Sequence, residues 1–254
     1  MHWDPAQYLQ YGAERARPFF DLVSQVRAEP AQVVDLGCGP GDLTATLADR
    51  WPSATIRGLD SSPDMIERSM AFSSESLTFA LASAEDFSAV GTDVLLSNAL
   101  LQWVPGHELL LQRWAAELNT GGWLAFQVPS NFGAPSHRLM REVALSKRWR
   151  PQLGEVLRHD DAVAEPDYYL DLLASAGLRV NVWQTDYLHL LPGADPILEW
   201  MRGTGLRPIL SALPTENVAE FEADYAAQLR RAYPRRPYGT IFPFLRTFVV
   251  ASKP

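Results

Sequence analysis

Cysteine is almost missing from this chain of 254 residues. Cys38 stands alone, so an intramolecular disulfide is impossible and a cysteine-based zinc site is excluded. No metal is expected, and a reducing, cytoplasmic setting is the plain expectation. Basic charge is also short. Lys and Arg number 22 against 30 Asp and Glu, for a net charge of -8. A protein that reads nucleic acid electrostatically shows the opposite balance, so nucleic acid is not an expected partner. No apolar run approaches the length of a membrane span. The best stretch, residues 94–104, is broken by Ser97, Asn98 and Gln102, so no membrane segment is expected. The first residues, Met1-His2-Trp3-Asp4-Pro5, lack the charged and apolar regions of a secretory signal, and none is expected. The acidic surface is compatible with a monomer.

What is present is ordinary globular material, 47% apolar and 20% charged, enough for one large domain over residues 1–254. Apolar spacing predicts a helix over residues 14–27. Short apolar strands are then expected at Gln32–Leu36, Thr55–Leu59, Leu77–Leu81, Asp93–Ser97 and Trp123–Val128. Helices over residues 42–51, from Ser62 onward and over 108–118 fall between them. That alternation predicts an α/β fold, a doubly wound parallel sheet with helices on both faces. After Pro129 the pattern loosens. A helix is expected over residues 137–149, another over 168–176 and broken helices over 195–232, where Gly203, Gly205 and Pro208 interrupt. Two long strands, residues 178–190 and 240–251, suggest an edge closed by an antiparallel strand. The segments 130–165 and 193–239 read as cap insertions over one end of the sheet.

Chemistry concentrates in Val33-Val34-Asp35-Leu36-Gly37-Cys38-Gly39-Pro40-Gly41. An apolar strand ends in an acid and runs into a glycine-rich turn that opens a helix. Gly37 and Gly39 allow backbone conformations a Cβ forbids and let a ligand approach the main chain, outside the carboxyl ends of the strands. The spacing is G-x-G-x-G, not the G-x-G-x-x-G of dinucleotide sites. No Lys-Ser/Thr pair follows, so a triphosphate loop is excluded. An acid beside the turn repels a pyrophosphate but suits an ammonium group. Asp60 closes the second strand, where its carboxylate can accept from two ribose hydroxyls. Two acids, a glycine turn and no phosphate binder describe a site for S-adenosylmethionine. Cys38 reads as a small filler, because no activating group accompanies it in sequence. Trp103 and Trp123 read as core.

This stretch resembles the class I S-adenosylmethionine-dependent methyltransferases. Nearly the whole chain is similar to the trans-aconitate 2-methyltransferases. The pieces that carry the narrower likeness are Trp3-Asp4-Pro5 with Tyr8-Leu9, Glu14-Arg15 with Arg17-Pro18, and Asp60-Ser61-Ser62-Pro63. Further pieces are Asn98-Ala99 with Gln102-Trp103, Pro135-Ser136-His137, Met140-Arg141-Glu142-Val143 and Thr204-Gly205-Leu206-Arg207-Pro208. The resemblance implies a Rossmann-like seven-stranded sheet whose last strand is antiparallel, with a helical cap. It implies S-adenosyl-L-methionine as cofactor and S-adenosyl-L-homocysteine as product. Carried over by position, Asp35, Gly37 and Gly39 line the methionine end, and Tyr8 and Arg15 close over it. Asp60 and Ser61 hold the ribose. Ser83 and Ala84 follow the third strand, where the family often has an acid for the adenine amine, and Ser83 or Glu85 would take that role. Asn98 would stand beside the sulfonium.

The implied reaction is esterification of trans-aconitate to a monomethyl ester. A carboxylate nucleophile is already ionised at neutral pH, so no general base and no catalytic side chain are expected; alignment and a dry site are what the protein must supply. A small polycarboxylate calls for arginines, whose planar forks match carboxylates. Residues 136–158 carry six basic side chains against two acids. Within them His137 and Arg141 share one helix face. His137, Arg141 and Arg207 are the expected carboxylate clamp, with Tyr11 and Tyr238 as hydroxyl donors. Two alternatives stay open: methylation of another di- or tricarboxylate such as isopropylmalate, and a non-catalytic S-adenosylmethionine-binding protein.

Overall fold

The computed structural model describes residues 12–154, 156 and 162–254. Tyr8 and Tyr11 lie outside the described residues, as does the side chain of Arg15. Helix α1 (Gly12–Val23) leads into β1 (Gln32–Leu36), α2 (Asp42–Arg50), β2 (Thr55–Asp60), α3 (Pro63–Ser69), β3 (Leu77–Leu81), β4 (Val94–Asn98), α4 (His107–Glu117) and β5 (Trp123–Pro129). Then come α5 (Pro135–Ala144), α6 (Arg150–Leu153), α7 (Pro166–Ser175), β6 (Arg179–Leu191), α8 (Pro196–Arg202), α9 (Arg207–Ala212), α10 (Thr215–Ala232) and β7 (Thr240–Ser252).

The strands form one seven-stranded sheet in the order β3-β2-β1-β4-β5-β7-β6. Pairing is parallel from β3 through β5. Only β7 runs the other way, antiparallel to both β5 and β6. The order reverses between β1 and β4. A crevice must open there, because the chain leaves the two strands toward opposite sides of the sheet.

Burial explains the strands' composition. In β1 and β4 nearly every residue is buried, so both read as continuous apolar runs instead of alternating ones. One face packs Phe19 and Leu22 of α1 with Leu47 of α2. The other packs Leu111 and Trp114 of α4 with Tyr169 and Leu173 of α7. A separate apolar cluster joins α5, α8, α9 and α10 through Met140, Trp149, Trp200, Ile209 and Phe221. It also takes in Phe242 and Phe244 of β7. The two segments that flank β6 in sequence therefore share one core above the sheet's end.

Most boundaries shift by one or two residues, and three helical stretches depart further from the sequence reading. Helix α1 stops at Val23, where the Ser24 hydroxyl bonds back to the Asp21 carbonyl at 2.8 Å. The helix expected over residues 137–149 ends at Ala144. The chain turns there, so that the Trp149 ring buries against Phe221 and its indole N–H reaches Asp224 at 3.0 Å. The 195–232 stretch resolves into three helices, with breaks at residues 203–206 and 213–214.

Gly58 decides the packing beneath the glycine turn. Phe79 is its partner across β2 and β3, and a Cβ at Gly58 would stand 2.4 Å from the Phe79 ring and 3.1 Å from the Cys38 Cβ. Gly58→Ala is expected to destabilise the fold by about 1–3 kcal/mol through overpacking. Urea denaturation checks this: the midpoint falls while the slope stays constant.

Candidate active site

The carboxyl ends of β1, β2, β4 and β5 open into a cleft of about 700 Å³, within the range of small-molecule sites. The strand order spreads its lining along the sheet's carboxyl edge, from the loops after β2 and β1, past β4, to β5 and β7. One end is built from Gly37, Gly39, Pro40, Asp60, Ser61 and Asp64. The middle is Asn98, Ala99, Gln102 and Trp103. The far end holds Asn131, His137, Arg141, Gly205 and Arg246. Acids thus stand at one end and cations at the other.

The glycine turn is a backbone cradle. Gly37, Gly39 and Gly41 all have φ between 58° and 86°, a region that disfavours side chains with a Cβ. A Cβ on Gly37 would also strike the Leu100 Cβ at 2.9 Å. The Asp60 carboxylate fixes the turn. Its Oδ2 accepts from the Gly39 N–H and its Oδ1 from the Ser62 N–H, both at 2.9 Å. One acid therefore couples the loop after β1 to the loop after β2.

Asp35 lies under this turn, 2% exposed, and does not line the cleft. The Thr44 hydroxyl donates to its Oδ2 at 2.6 Å, while Oδ1 is buried with no hydrogen-bond partner among the described residues. Burial, opposed by the Thr44 bond and reinforced by Asp60 and Asp42, pushes its carboxyl up to about 6. Burial, with Asp35 and Asp60 adding, also pushes the Cys38 thiol up. Cys38 is therefore a packed, protonated filler with no nucleophilic character.

Asn98 ends β4 at the junction of the two halves. The Gln127 side chain donates to its Oδ1 at 2.6 Å, and Arg246 donates to the Gln127 Oε1 at 3.0 Å. This three-residue chain runs from the cationic end to the middle of the cleft. Ala99 follows with φ 57°, a left-handed conformation that costs about 1–3 kcal/mol in a non-glycine residue and collects at functional sites. Bonds on both sides hold it: its N–H donates to the Gln127 carbonyl at 3.0 Å, and its carbonyl accepts from the Gln102 side chain at 2.5 Å.

At the far end, His137 and Arg141 project from α5. Arg141 donates to the Phe132 carbonyl at 3.0 Å. The His137 ring is 7% exposed and lies 5.3 Å from the Phe132 ring, centroid to centroid. Gly205 makes room for it, since a Cβ there would sit 3.1 Å from His137 Nε2. Arg246 comes from β7, is 5% exposed and lies over the Phe244 ring at 4.8 Å.

Of the residues named from sequence, the structure brings Gly37, Gly39, Asp60, Ser61, Asn98, His137 and Arg141 to one cleft. Others stand elsewhere. Ser83 and Ala84 do not line it. The Ser83 hydroxyl closes its own turn, donating to Asp86 Oδ2 at 2.8 Å and accepting from the Asp86 N–H at 3.1 Å. Glu85 is exposed and outside the lining. Arg207 opens α9, half-buried and outside the lining. Tyr238 is corrected: it is 60% exposed and accepts from Arg236 on the surface, away from the cleft. Trp103 is corrected the other way, because it lines the cleft. Arg202 and Arg230 are taken up by ion pairs with Glu199, Glu222 and Asp195. The sequence reading missed Arg246, Asn131 and Gln102 as site residues. Arg246 had a signal, as the one charged residue in the strand TIFPFLRTFVVAS. Asn131 had none.

A seven-stranded sheet with one reversed strand, and a glycine cradle beside an acid at the switch point, define a methyltransferase. The family described as "Methyltransferase domain" matches residues 8–181. The chain is 53% identical to a trans-aconitate 2-methyltransferase of Streptomyces coelicolor, over 99% of this chain and 87% of that one. It belongs to the trans-aconitate 2-methyltransferase family. Among solved structures, the YcgJ protein of Bacillus subtilis superimposes with a TM-score of 0.60 at 14% identity, covering 95% of this chain and 98% of that one. A geranyl diphosphate C-methyltransferase from Streptomyces coelicolor, solved with S-adenosyl-L-homocysteine, superimposes at 0.54 and 16% identity, covering 96% and 80%. These two likenesses concern the fold.

Proposed function

We propose that this chain methylates one carboxylate of trans-aconitate, with S-adenosyl-L-methionine as donor. The observation that carries this reading is the charge arrangement of the cleft lining: Asp60 and Asp64 line it at and after β2, Asn98 at the end of β4, and Arg246 on β7 with His137 and Arg141 on α5. A cofactor bearing a ribose and a cationic centre fits the acidic end. A polycarboxylate fits the cationic end. The residues suit the cofactor on structural grounds: among the described residues nothing fills the space beside Gly39 in the positive-φ cradle, and a buried carboxylate oxygen of Asp35 beneath it has no hydrogen-bond partner.

The bound cofactor supplies an electrophilic methyl group on a sulfonium. The protein supplies the rest. Gly37 and Gly39 admit the methionine end, Asp35 offsets its ammonium charge, and Asp60 holds the ribose diol with Ser61 beside it. Tyr8 and Arg15, named from sequence, are assigned to the methionine tail on the family resemblance. Arg246, Arg141 and His137 orient the acid so that one carboxylate faces the junction at Asn98. No side chain removes a proton, because the nucleophile is already ionised. The new O–C bond forms as the S–C bond breaks, and the opposite charges on donor and acceptor disappear together. A water-poor site favours that loss of charge. The buried aromatic wall of Trp200 and Phe244 supplies it. The helices over residues 135–153 and 196–232 form the cap above the cationic end.

The test is methyl transfer from labelled S-adenosyl-L-methionine to trans-aconitate, cis-aconitate, isopropylmalate, citrate and a monocarboxylate. The expected result is base-labile label on trans-aconitate with the highest kcat/KM of the panel, at one methyl per molecule. Preference for another acid would move the reading within the polycarboxylates. Tight cofactor binding with no labelled acid would leave a binding protein.

A further inference from the structure

Asn131 is 3% exposed and lies in the wall of the cleft, just after β5. Among the described residues, neither its amide nitrogen nor its amide oxygen has a hydrogen-bond partner. Burying such a group unsatisfied is costly, and native proteins seldom do it without a reason. The local fold does not need this side chain. The turn into α5 is closed by backbone atoms, the Ala134 N–H donating to the Asn131 carbonyl at 2.9 Å. Its position is set by the sheet: Pro129 pairs with Arg246, and the Ser130 N–H bonds to the Leu245 carbonyl at 2.9 Å. Asn131 therefore stands beside β7, which carries Arg246, and one residue before Phe132, against which His137 and Arg141 pack.

We infer that Asn131 is a substrate-binding residue whose amide N–H donates to a carboxylate of the acid anchored by the cationic end. An amide discriminates where an arginine does not. It adds a directed donor without adding charge, so it fixes the rotation of an acid that the cations only attract. Its oxygen is left to a water accompanying the acid. The inference rests on the polycarboxylate reading above.

Asn131→Leu separates binding from structure. Replacing an unsatisfied buried amide by an apolar side chain of similar size leaves the fold as stable or more so. The KM for trans-aconitate should rise about 10- to 100-fold. The KM for S-adenosyl-L-methionine should stay within a factor of about two. Asn131→Asp, which replaces the donor by a like charge, should raise the KM for the acid further. An unchanged KM for the acid would overturn the inference, as would a rise in the KM for the cofactor instead, or a lowered Tm in the Leu variant. Calorimetry of trans-aconitate and citrate with the wild-type chain in S-adenosyl-L-homocysteine distinguishes the two levels of argument. Binding without methylation would defeat the proposed reaction and leave the Asn131 assignment to be read from the Leu variant's weakened binding. No binding of either acid would overturn the assignment itself.

Discussion

Arg246→Met is expected to lower kcat/KM for trans-aconitate by about 10²–10³-fold while leaving cofactor affinity nearly unchanged. Arg246 is 5% exposed and lines the cleft, where little water screens its charge. Removing it takes away a carboxylate anchor. It also removes the donor to Gln127 Oε1, and Gln127 in turn holds Asn98. Two effects follow: KM rises from the lost anchor, and kcat falls as Asn98 loses its fixed position. Arg246→Lys keeps the charge but not the fork, and should recover part of the KM loss and little of the kcat loss. His189 offers an internal control of folding. Burial first, then the charges of Arg246 and Arg17, hold its ring down to about 4. In a correctly folded Met variant its titration by NMR should move up only part of the way toward an ordinary histidine. Steady-state kinetics showing less than a few-fold change in both parameters would remove Arg246 from the proposed site.

Asp35→Asn is expected to stabilise the empty protein and impair it together. At neutral pH the Asp35 carboxylate is ionised inside the fold, although burial pushes its pKa from 3.8 up to about 6. The folded state binds this proton more tightly than the unfolded state. Its stabilising contribution is therefore fully present below pH 3.8 and is lost as pH rises through 6. Asparagine never carries the charge, so the variant should gain up to about 3 kcal/mol at pH 7, and the gain should vanish near pH 4. Thr44 can still donate to the amide oxygen. Cofactor binding should weaken about 10- to 100-fold, because the compensating charge for an ammonium group is gone. Denaturation at pH 4 and pH 7, with calorimetry of S-adenosyl-L-methionine, measures both halves. A variant less stable at pH 7, or one that binds the cofactor as well as wild type, would refute this account of Asp35. His189 works in the opposite sense. Its depressed pKa gives stability present above pH 6.5 and lost as pH falls through about 4, so it and Asp35 offset one another in the wild type over that window.

The elements up to β5 were legible because each is short, locally patterned and bounded by turn residues. The segment VVDLGCGPG carries its own conformational instruction: strand residues, then glycines that alone tolerate the turn. Asp60 was legible for the same reason, standing at the end of a strand just before a helix that opens on Ser62-Pro63. The cap was legible only in outline. The helix expected over residues 137–149 stops at Ala144 because Trp149 has a place waiting against Phe221 of α10, a partner 72 residues away. Tyr238 resembled a donor by type, and only its position on the surface removes it. Ser83 resembled a ligand by position, and its hydroxyl is taken by Asp86.

The sequence by itself determined the sheet's parallel half, the glycine cradle, the acids Asp35 and Asp60, and the family. The family is carried by short pieces from Trp3 to Pro208, and each of the other features depends on residues within a few positions of one another, where local backbone preference and period decide the outcome. Only the tertiary structure decided which cations face the cleft. Arg202 pairs with Glu199 of its own helix and with Glu222 of α10, and Arg230 pairs with Asp195 just before α8. Strand β7 enters the sheet between β5 and β6 and carries Arg246 to the cleft. A charge's partners are set by chain segments that meet only on folding, and no local pattern records that meeting.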